Sequence, residues 1–129
     1  MHGGDAASIH DASFNLLVTD GRVHTVVVTK LELLRGHCGT TTWDSRTPLA
    51  VTGYTVNDWD SVDPIATGTS SAKLPAKSDL YSVTASFAGV SAYQACDRFA
   101  FATKLVIDGT RVAIEVPLQI KRFEPLRQP

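Results

Sequence analysis

The sequence predicts an all-β fold, a two-sheet antiparallel β-sandwich. Apolar and polar residues alternate with period two along several segments, and two of these segments end at an Asp-Gly dipeptide. No long helical pattern separates them, which argues against a parallel sheet with crossover helices. Period-two alternation buries one face of a strand and leaves the other in water, as antiparallel sheets allow. The chain of 129 residues is long enough for one domain with its own core.

The first strand pair is predicted on either side of Asp20-Gly21. Before this dipeptide, residues 12–19 alternate, and the apolar side consists of Ala12, Phe14, Leu16 and Val18. After it, a β-branched run, Thr25–Thr29, starts a strand that extends towards Gly36. Asp-Gly suits the positive φ angles of a two-residue turn, so we expect a hairpin here.

A second hairpin is predicted over residues 99–120, with its turn at Asp108-Gly109. Alternate positions on both sides of the turn are apolar, and they are Phe99, Phe101, Leu105, Ile107, Val112, Ile114, Val116, Leu118 and Ile120. Pro117 cannot donate to a ladder of hydrogen bonds, so the last strand is expected at a sheet edge or a bulge.

The middle of the chain has two more strand candidates, residues 49–56 and 80–87. A long crossover loop is expected around 57–79, with a short edge strand near 65–67. Helical spacing from Ser91 predicts a short helical turn before the strand at Phe99.

The domain boundaries follow from these predictions. We expect a flexible N-terminal segment at 1–11, one β-sandwich domain at 12–123 and a tail at 124–129.

The segment Asp79–Ala85 reads Asp-Leu-Tyr-Ser-Val-Thr-Ala. It resembles late strands of immunoglobulin-like and fibronectin type III-like domains, in which an acidic-x-Tyr-x-Val-x-Ala pattern opens a core strand. The resemblance implies an immunoglobulin-like or similar sandwich. The chain departs from antibody domains because Trp43 lies too close to Cys38. These folds carry many unrelated functions, so no function follows from the resemblance.

Charge and hydropathy exclude several classes of partner. Lys and Arg number 12 against 13 Asp and Glu, and no strongly basic cluster for nucleic acid is present. No apolar stretch reaches the roughly 18 to 20 residues of a membrane-spanning helix. The N-terminus lacks the basic and apolar regions of a secretion signal.

The cysteines Cys38 and Cys96 are far apart in sequence and do not form a Cys-x-x-Cys motif. We expect a disulfide between them, which places the protein in an extracytoplasmic compartment, secreted or periplasmic. Closing such a loop stabilises the fold by about 4 kcal/mol in the loop-closure description. The alternative is a cytoplasmic protein with two free, buried thiols.

Two ligand sites are candidates between residues 43 and 63. Asp58, Asp60 and Asp63 could bind calcium through carboxylate oxygens, although the spacing is not that of an EF-hand. We favour the alternative, a solvated polar turn in which Asp and Asn bond their own backbone. The aromatic residues Trp43, Tyr54 and Trp59 could stack on a sugar, or they could be parts of the core.

Catalysis has weak support. No phosphate loop, nucleophile elbow or zinc-protease motif is present, and His37 beside Cys38 would point to the opposite face of a strand. We therefore expect no enzyme, no catalytic residues and no cofactor. The leading interpretation is a non-catalytic interaction or structural module with a protein or glycan partner. The alternatives are a carbohydrate- or calcium-binding module using residues 43–63, and a cytosolic β protein with free thiols.

Overall fold

The computed structural model describes residues 8–60, 62–91 and 97–118. Within these ranges the chain forms nine strands: β1 Ser8–Val18, β2 His24–His37, β3 Ser45–Leu49, β4 Val51–Asn57, β5 Ala66–Gly68, β6 Ala72–Leu74, β7 Asp79–Ser91, β8 Asp97–Ile107 and β9 Thr110–Leu118. All pairings are antiparallel. The strands form two sheets packed against each other, which confirms the predicted β-sandwich. Its immunoglobulin-like identity stays a prediction.

Sheet A has the order β1-β7-β4-β5, and sheet B has the order β3-β2-β8-β9 with β6 also paired to β2. Most neighbours in each sheet are distant in sequence, so the two sheets assemble from interleaved parts of the chain. Within the described ranges, no helix is long and apolar enough to cross a membrane.

The prediction of a hairpin at Asp20-Gly21 is wrong. β1 pairs with β7 in sheet A, whereas β2 pairs with β3, β6 and β8 in sheet B. Residues 19–23 are therefore a crossover between sheets. Gly21 does have a positive φ of 67°. The side chain of Asp20 accepts a hydrogen bond from the Arg22 N–H at 3.0 Å, so Asp-Gly shapes a loop here without pairing its two flanks.

The second hairpin is confirmed over residues 99–118, and residues 119–120 of the predicted range lie outside the described part of the chain. β8 and β9 pair from Ile107↔Thr110 outwards, and Asp108 and Gly109 have φ values of 50° and 86°. Both central residues thus have the positive φ of a type I′ turn. β9 is the edge of sheet B among the described strands, as Pro117 predicted.

The central segments differ in detail from the prediction. The strand expected at 49–56 begins earlier and changes sheets at Ala50, where β3 of sheet B ends and β4 of sheet A begins. The long crossover contains the expected short strand, β5, and an unexpected one, β6. β7 continues through Ser91, and residues 92–96, where a helical turn was expected, lie outside the described part of the chain. β1 starts at Ser8, inside the segment expected to be flexible.

The core lies between the two sheets. Its fully buried side chains come from both, including Val56, Tyr81 and Val83 of sheet A and Val26 and Leu105 of sheet B. Phe87 and Phe101 meet edge to face across the core, with their ring centroids 6.1 Å apart. Each such side chain contributes about 1.5–3 kcal/mol when it is buried.

Tyr81 anchors the corner before β7. Its ring is buried, and its hydroxyl donates to the Lys77 carbonyl oxygen at 2.7 Å. Burial raises the pKa of the Tyr81 hydroxyl. A tyrosine bonded to a backbone carbonyl a few residues upstream is the tyrosine corner of β-sandwiches. Tyr81 belongs to the segment whose sequence pattern indicated a core strand.

Candidate functional site

The loop that follows β2, residues 38–44, is held by one side chain from the neighbouring strand β8. We call it the Arg98 loop. The Arg98 guanidinium donates from Nε to the His37 carbonyl oxygen at 3.0 Å and from Nη2 to the Thr42 carbonyl oxygen at 2.5 Å. Nη2 also lies 3.3 Å from the Thr40 hydroxyl. The same guanidinium stacks over Trp43, with its central carbon 4.2 Å from the ring centroid.

Further hydrogen bonds join residues of the Arg98 loop to the end of β2. Thr40 donates its N–H and its hydroxyl to the His37 carbonyl oxygen, at 3.3 and 2.8 Å. The Asp44 N–H donates to the Arg35 carbonyl oxygen at 2.7 Å, and the Asp44 carboxylate contacts Nδ1 of His37. Gly36 leaves room for this arrangement, because a Cβ there would lie 2.6 Å from the Thr42 carbonyl oxygen.

The Arg98 loop is held by these hydrogen bonds although its side chains are not part of the core. Thr40, Thr41 and Thr42 are exposed, and Trp43 is half-buried with one contact surface covered by Arg98. Loops held on a rigid scaffold commonly carry binding residues. The arrangement therefore presents a fixed aromatic–guanidinium pair beside three hydroxyls at one end of the sandwich.

Cys38 lies in the Arg98 loop, at this end of the sandwich. Cys38 directly follows His37, Cys96 directly precedes Asp97, and His37 pairs with Asp97 between β2 and β8. Opposed residues of an antiparallel pair have Cα atoms about 4.5–5.5 Å apart, within the disulfide range of about 4.4–6.8 Å. Cys96 lies outside the described residues, so the predicted bridge stays a prediction.

Tyr54, a candidate for sugar stacking, is 5% exposed and part of the core. Its hydroxyl accepts the Val28 N–H at 2.9 Å. This bond lies at a cleft of about 320 Å³ beside the change of sheets at Ala50. The cleft opens along β2 between the segments paired to β6 and β3, and its polar rim consists of Thr29, Lys30, Thr69 and Ser70.

Trp59 is 69% exposed in the loop after β4, the most open of the three aromatic candidates. Trp43 and Trp59 flank the extended stretch β3–β4, which spans up to roughly 40 Å at about 3.3 Å per residue. The two tryptophans therefore lie at opposite ends of the sandwich, with Tyr54 buried between them. The structure does not bring the three together.

The acidic candidates lie around Trp59. Asp58 accepts the Asp60 N–H at 3.0 Å, a local turn of the kind that aspartate favours. Asp63 is exposed farther along the loop. Across the described ranges, no group of three His, Cys, Asp or Glu side chains is arranged to hold a metal ion. Calcium binding at these residues stays a prediction.

A second polar cluster joins the two Asp-Gly segments at His24. Nδ1 of His24 contacts the Asp108 carboxylate, and Nε2 lies 2.8 Å from Asp20 Oδ1. Asp108 also accepts the Thr25 N–H at 2.8 Å. The hydrogen bonds to Asp20 and Asp108 raise the pKa of His24. The bonds from His24 and Arg22 lower the pKa of Asp20, and those from Thr25 and His24 lower the pKa of Asp108.

Sequence reasoning missed both Arg98 and the His24 cluster. Their partners are distant in sequence: Arg98 contacts residues 37–43, and Asp108 contacts His24. Only the short spacing of Asp20 and His24 was available as a signal, and an Asp four residues before a His is too common to stand out.

The chain was compared with protein families, curated proteins and solved structures. No family model matches it, and neither a curated protein nor a solved structure does.

Proposed function

We propose that this chain is a non-catalytic interaction module of an extracytoplasmic compartment, and that the Arg98 loop contacts a protein partner. The observation that supports this most is the stack of Arg98 on Trp43 within an exposed loop whose backbone Arg98 also bonds. Trp and Arg are the residues that most often dominate the binding energy of protein interfaces.

The hydrogen bonds that hold the loop support the same proposal. Binding by a mobile loop costs about 0.5–1.5 kcal/mol for each side chain that must be immobilised. Arg98 already fixes the backbone at His37 and Thr42, so much of that cost is met before a partner arrives. The exposed hydroxyls of Thr41 and Thr42 supply hydrogen-bonding groups around the aromatic–guanidinium pair, as the polar rim of an interface does.

The compartment is proposed from the cysteines. Each lies one residue beyond the pair His37↔Asp97, so a bridge would clamp the base of the Arg98 loop to β8. Disulfides of this kind persist in oxidising compartments and are rare in the cytosol.

The binding surface is tested by replacing one tryptophan at each end, Trp43→Ala and Trp59→Ala. Immobilised protein is incubated with secreted and envelope fractions of the source organism, and retained proteins are quantified by mass spectrometry. We expect one partner retained by the wild type and by Trp59→Ala, and reduced at least about tenfold by Trp43→Ala, because hot-spot truncation costs 2 kcal/mol or more. Equal retention by both variants contradicts the proposal, as does the absence of any partner specific to the wild type.

The compartment is tested by thiol counting on protein purified from its native source. We expect no thiol to react with an alkylating reagent after denaturation, and two to react after reduction. Reduction should lower the free energy of unfolding by about 4 kcal/mol. Two thiols that react without reduction would place the protein in a reducing compartment.

A further inference from the structure

The edges of the two sheets are unequally protected. An exposed edge strand offers unpaired N–H and C=O groups to another strand, and natural sheets block it with short strands, Pro, Lys or bulges. β5 and β6 are 3 residues long. β3 has 5 residues and contains Arg46 and Pro48, whereas β9 contains Arg111 and Pro117. These edges all carry protection.

β1 is the exception. It has 11 residues, SIHDASFNLLV, without Pro, Lys or Arg. Among the described strands it pairs only with β7 and forms the edge of sheet A. Its one protective device is a bulge between Ile9 and Asp11, and beyond that bulge the register with β7 runs unbroken from Asp11 to Val18. About half of the backbone groups of that stretch point away from β7.

We infer that β1 pairs with β1 of a second copy of this chain, antiparallel and about a two-fold axis near Phe14. The resulting dimer has one continuous sheet running from β5 of one protomer to β5 of its partner. This inference is independent of the Arg98 loop, which belongs to sheet B.

The sequence of β1 is complementary to itself in that register. Phe14 opposes its own copy, and Ser13 opposes Asn15. Ser13 and Asn15 are both exposed on the outer face, where small polar side chains allow close approach. Asp11 opposes Leu17, so the carboxylates of the two copies do not face each other. Leu17 itself is 67% exposed in one chain.

Charge favours a second copy over a charged partner strand. β1 carries only two ionisable side chains, those of His10 and Asp11, both exposed, and the chain has a net charge of −1. A strand with little charge offers no electrostatic selection for a foreign partner, and the weak net charge gives little repulsion between copies. Closed two-fold dimers are also the commonest homo-oligomers.

The test compares three double variants by analytical ultracentrifugation across a range of protein concentrations. Ser13→Lys with Asn15→Lys places like charges opposite each other twice in the dimer. Ser13→Lys with Asn15→Glu places opposite charges there. Thr110→Lys with Ala113→Lys, at exposed positions of β9, is the matched control. All the replaced side chains are exposed, and both β1 variants lose the same hydrogen bond between the Ser13 and Thr84 hydroxyls, 2.7 Å apart. Circular dichroism checks that each variant folds.

We expect a wild-type dimer whose dissociation constant is unchanged by the β9 control and rises about tenfold or more in the Lys/Lys variant, because like charges directly opposed across strands repel. The Lys/Glu variant should stay dimeric. A monomeric wild type at about millimolar concentration, where nearly all specific pairs associate, overturns the inference, and so does a Lys/Lys variant as dimeric as the wild type. Loss of the dimer in both β1 variants overturns the register about Phe14.

Hydrogen exchange of the β1 amides identifies what covers the edge. We expect protection that increases with protein concentration. Protection that persists at concentrations where ultracentrifugation shows the monomer, as when residues of the same chain cover β1, contradicts the inference, and so does the absence of protection in the dimer.

Discussion

The two Asp-Gly dipeptides lie in similar sequences but do different things. Asp108-Gly109 joins β8 and β9 in a tight hairpin, whereas Asp20-Gly21 lies in a crossover between sheets. Both are preceded by an alternating strand and followed by another. Local turn chemistry therefore indicates where a chain can reverse, but it does not determine which strands pair.

Which alternate positions of each strand are buried explains why only Asp108-Gly109 forms a hairpin. In a two-residue hairpin at Asp108-Gly109, Leu105 opposes Val112, and both pack against the core. The same turn at Asp20-Gly21 would place Val18 opposite Val23 and Phe14 opposite Val27. Yet Val26 and Val28 are the buried residues in the first part of β2, before its bulge, while Val23 is 56% exposed. Such a hairpin would oppose buried residues with exposed ones, because a shift of one residue exchanges the two faces.

The largest difference in the free energy of unfolding is expected between two truncations within the hairpin itself. Leu105 is 1% exposed at the centre of sheet B, whereas Ile114 lies on edge strand β9 and is only partly buried. Leu105→Ala should lower the free energy of unfolding by about 3 kcal/mol, and Ile114→Ala by about 1–2 kcal/mol. Chemical denaturation measures both, with exposed Lys104→Ala as the control at below about 0.5 kcal/mol. Equal costs at all three positions would contradict the assignment of the buried face.

The two turn glycines give a smaller difference. Gly109 has φ 86° in a two-residue turn, and Gly21 has φ 67° in a longer loop. Gly109→Ala should cost about 1 kcal/mol, the usual penalty for a left-handed non-glycine residue. Gly21→Ala should cost less than half of that, because neighbouring loop residues can adjust. A larger cost at Gly21, measured by the same denaturation, would show that the crossover is as rigid as the hairpin.

The smallest effect is a pH dependence where the two dipeptides meet, at His24. Its contacts with Asp20 and Asp108 raise its pKa above the ordinary 6.5, so they stabilise the fold fully below pH 6.5. This stabilisation is lost as pH rises through the raised pKa of His24. At the acid side, the pKa values of Asp20 and Asp108 lie below 3.8, so their contribution is present above pH 3.8 and falls with further acidification.

The measurement compares the wild type with His24→Gln across that range. The stability advantage of the wild type should be largest between pH 4 and 6.5, the window set by the ordinary pKa values of Asp and His. It should shrink by pH 9. An advantage that does not change with pH would mean that His24 acts through packing alone.

Much of the fold was predictable because its signals are local. Alternation identified β1, β7, β8 and β9, a β-branched run identified β2, and Pro117 indicated an edge. What failed depends on distant partners. The run Val26-Val27-Val28 is apolar at every position, so it conceals which face of β2 is buried. β6 is too short to have a pattern of its own and exists because it pairs with β2.

The candidate site was less predictable for the same reason. Trp43 was identified by residue type, but the guanidinium that covers it comes from Arg98, on a strand 50 and more residues away. Tyr54 is a residue type that often binds ligands, but it is buried in the core. Residue type indicates what a side chain can do, whereas exposure depends on the packing of both sheets.

The interleaving of the two sheets also sets the order of events during synthesis. β1 and β2 emerge from the ribosome first, but β7 and β8, their principal partners, are made much later. At about 5–20 residues per second, the interval between the end of β1 at Val18 and the start of β7 at Asp79 lasts roughly 3–12 s. During that time β1 has no native neighbour, and β2 has only the short strands β3 and β6. Slow, non-local pairing of this kind leaves nascent chains open to aggregation and makes chaperone binding to the first third of the chain advantageous.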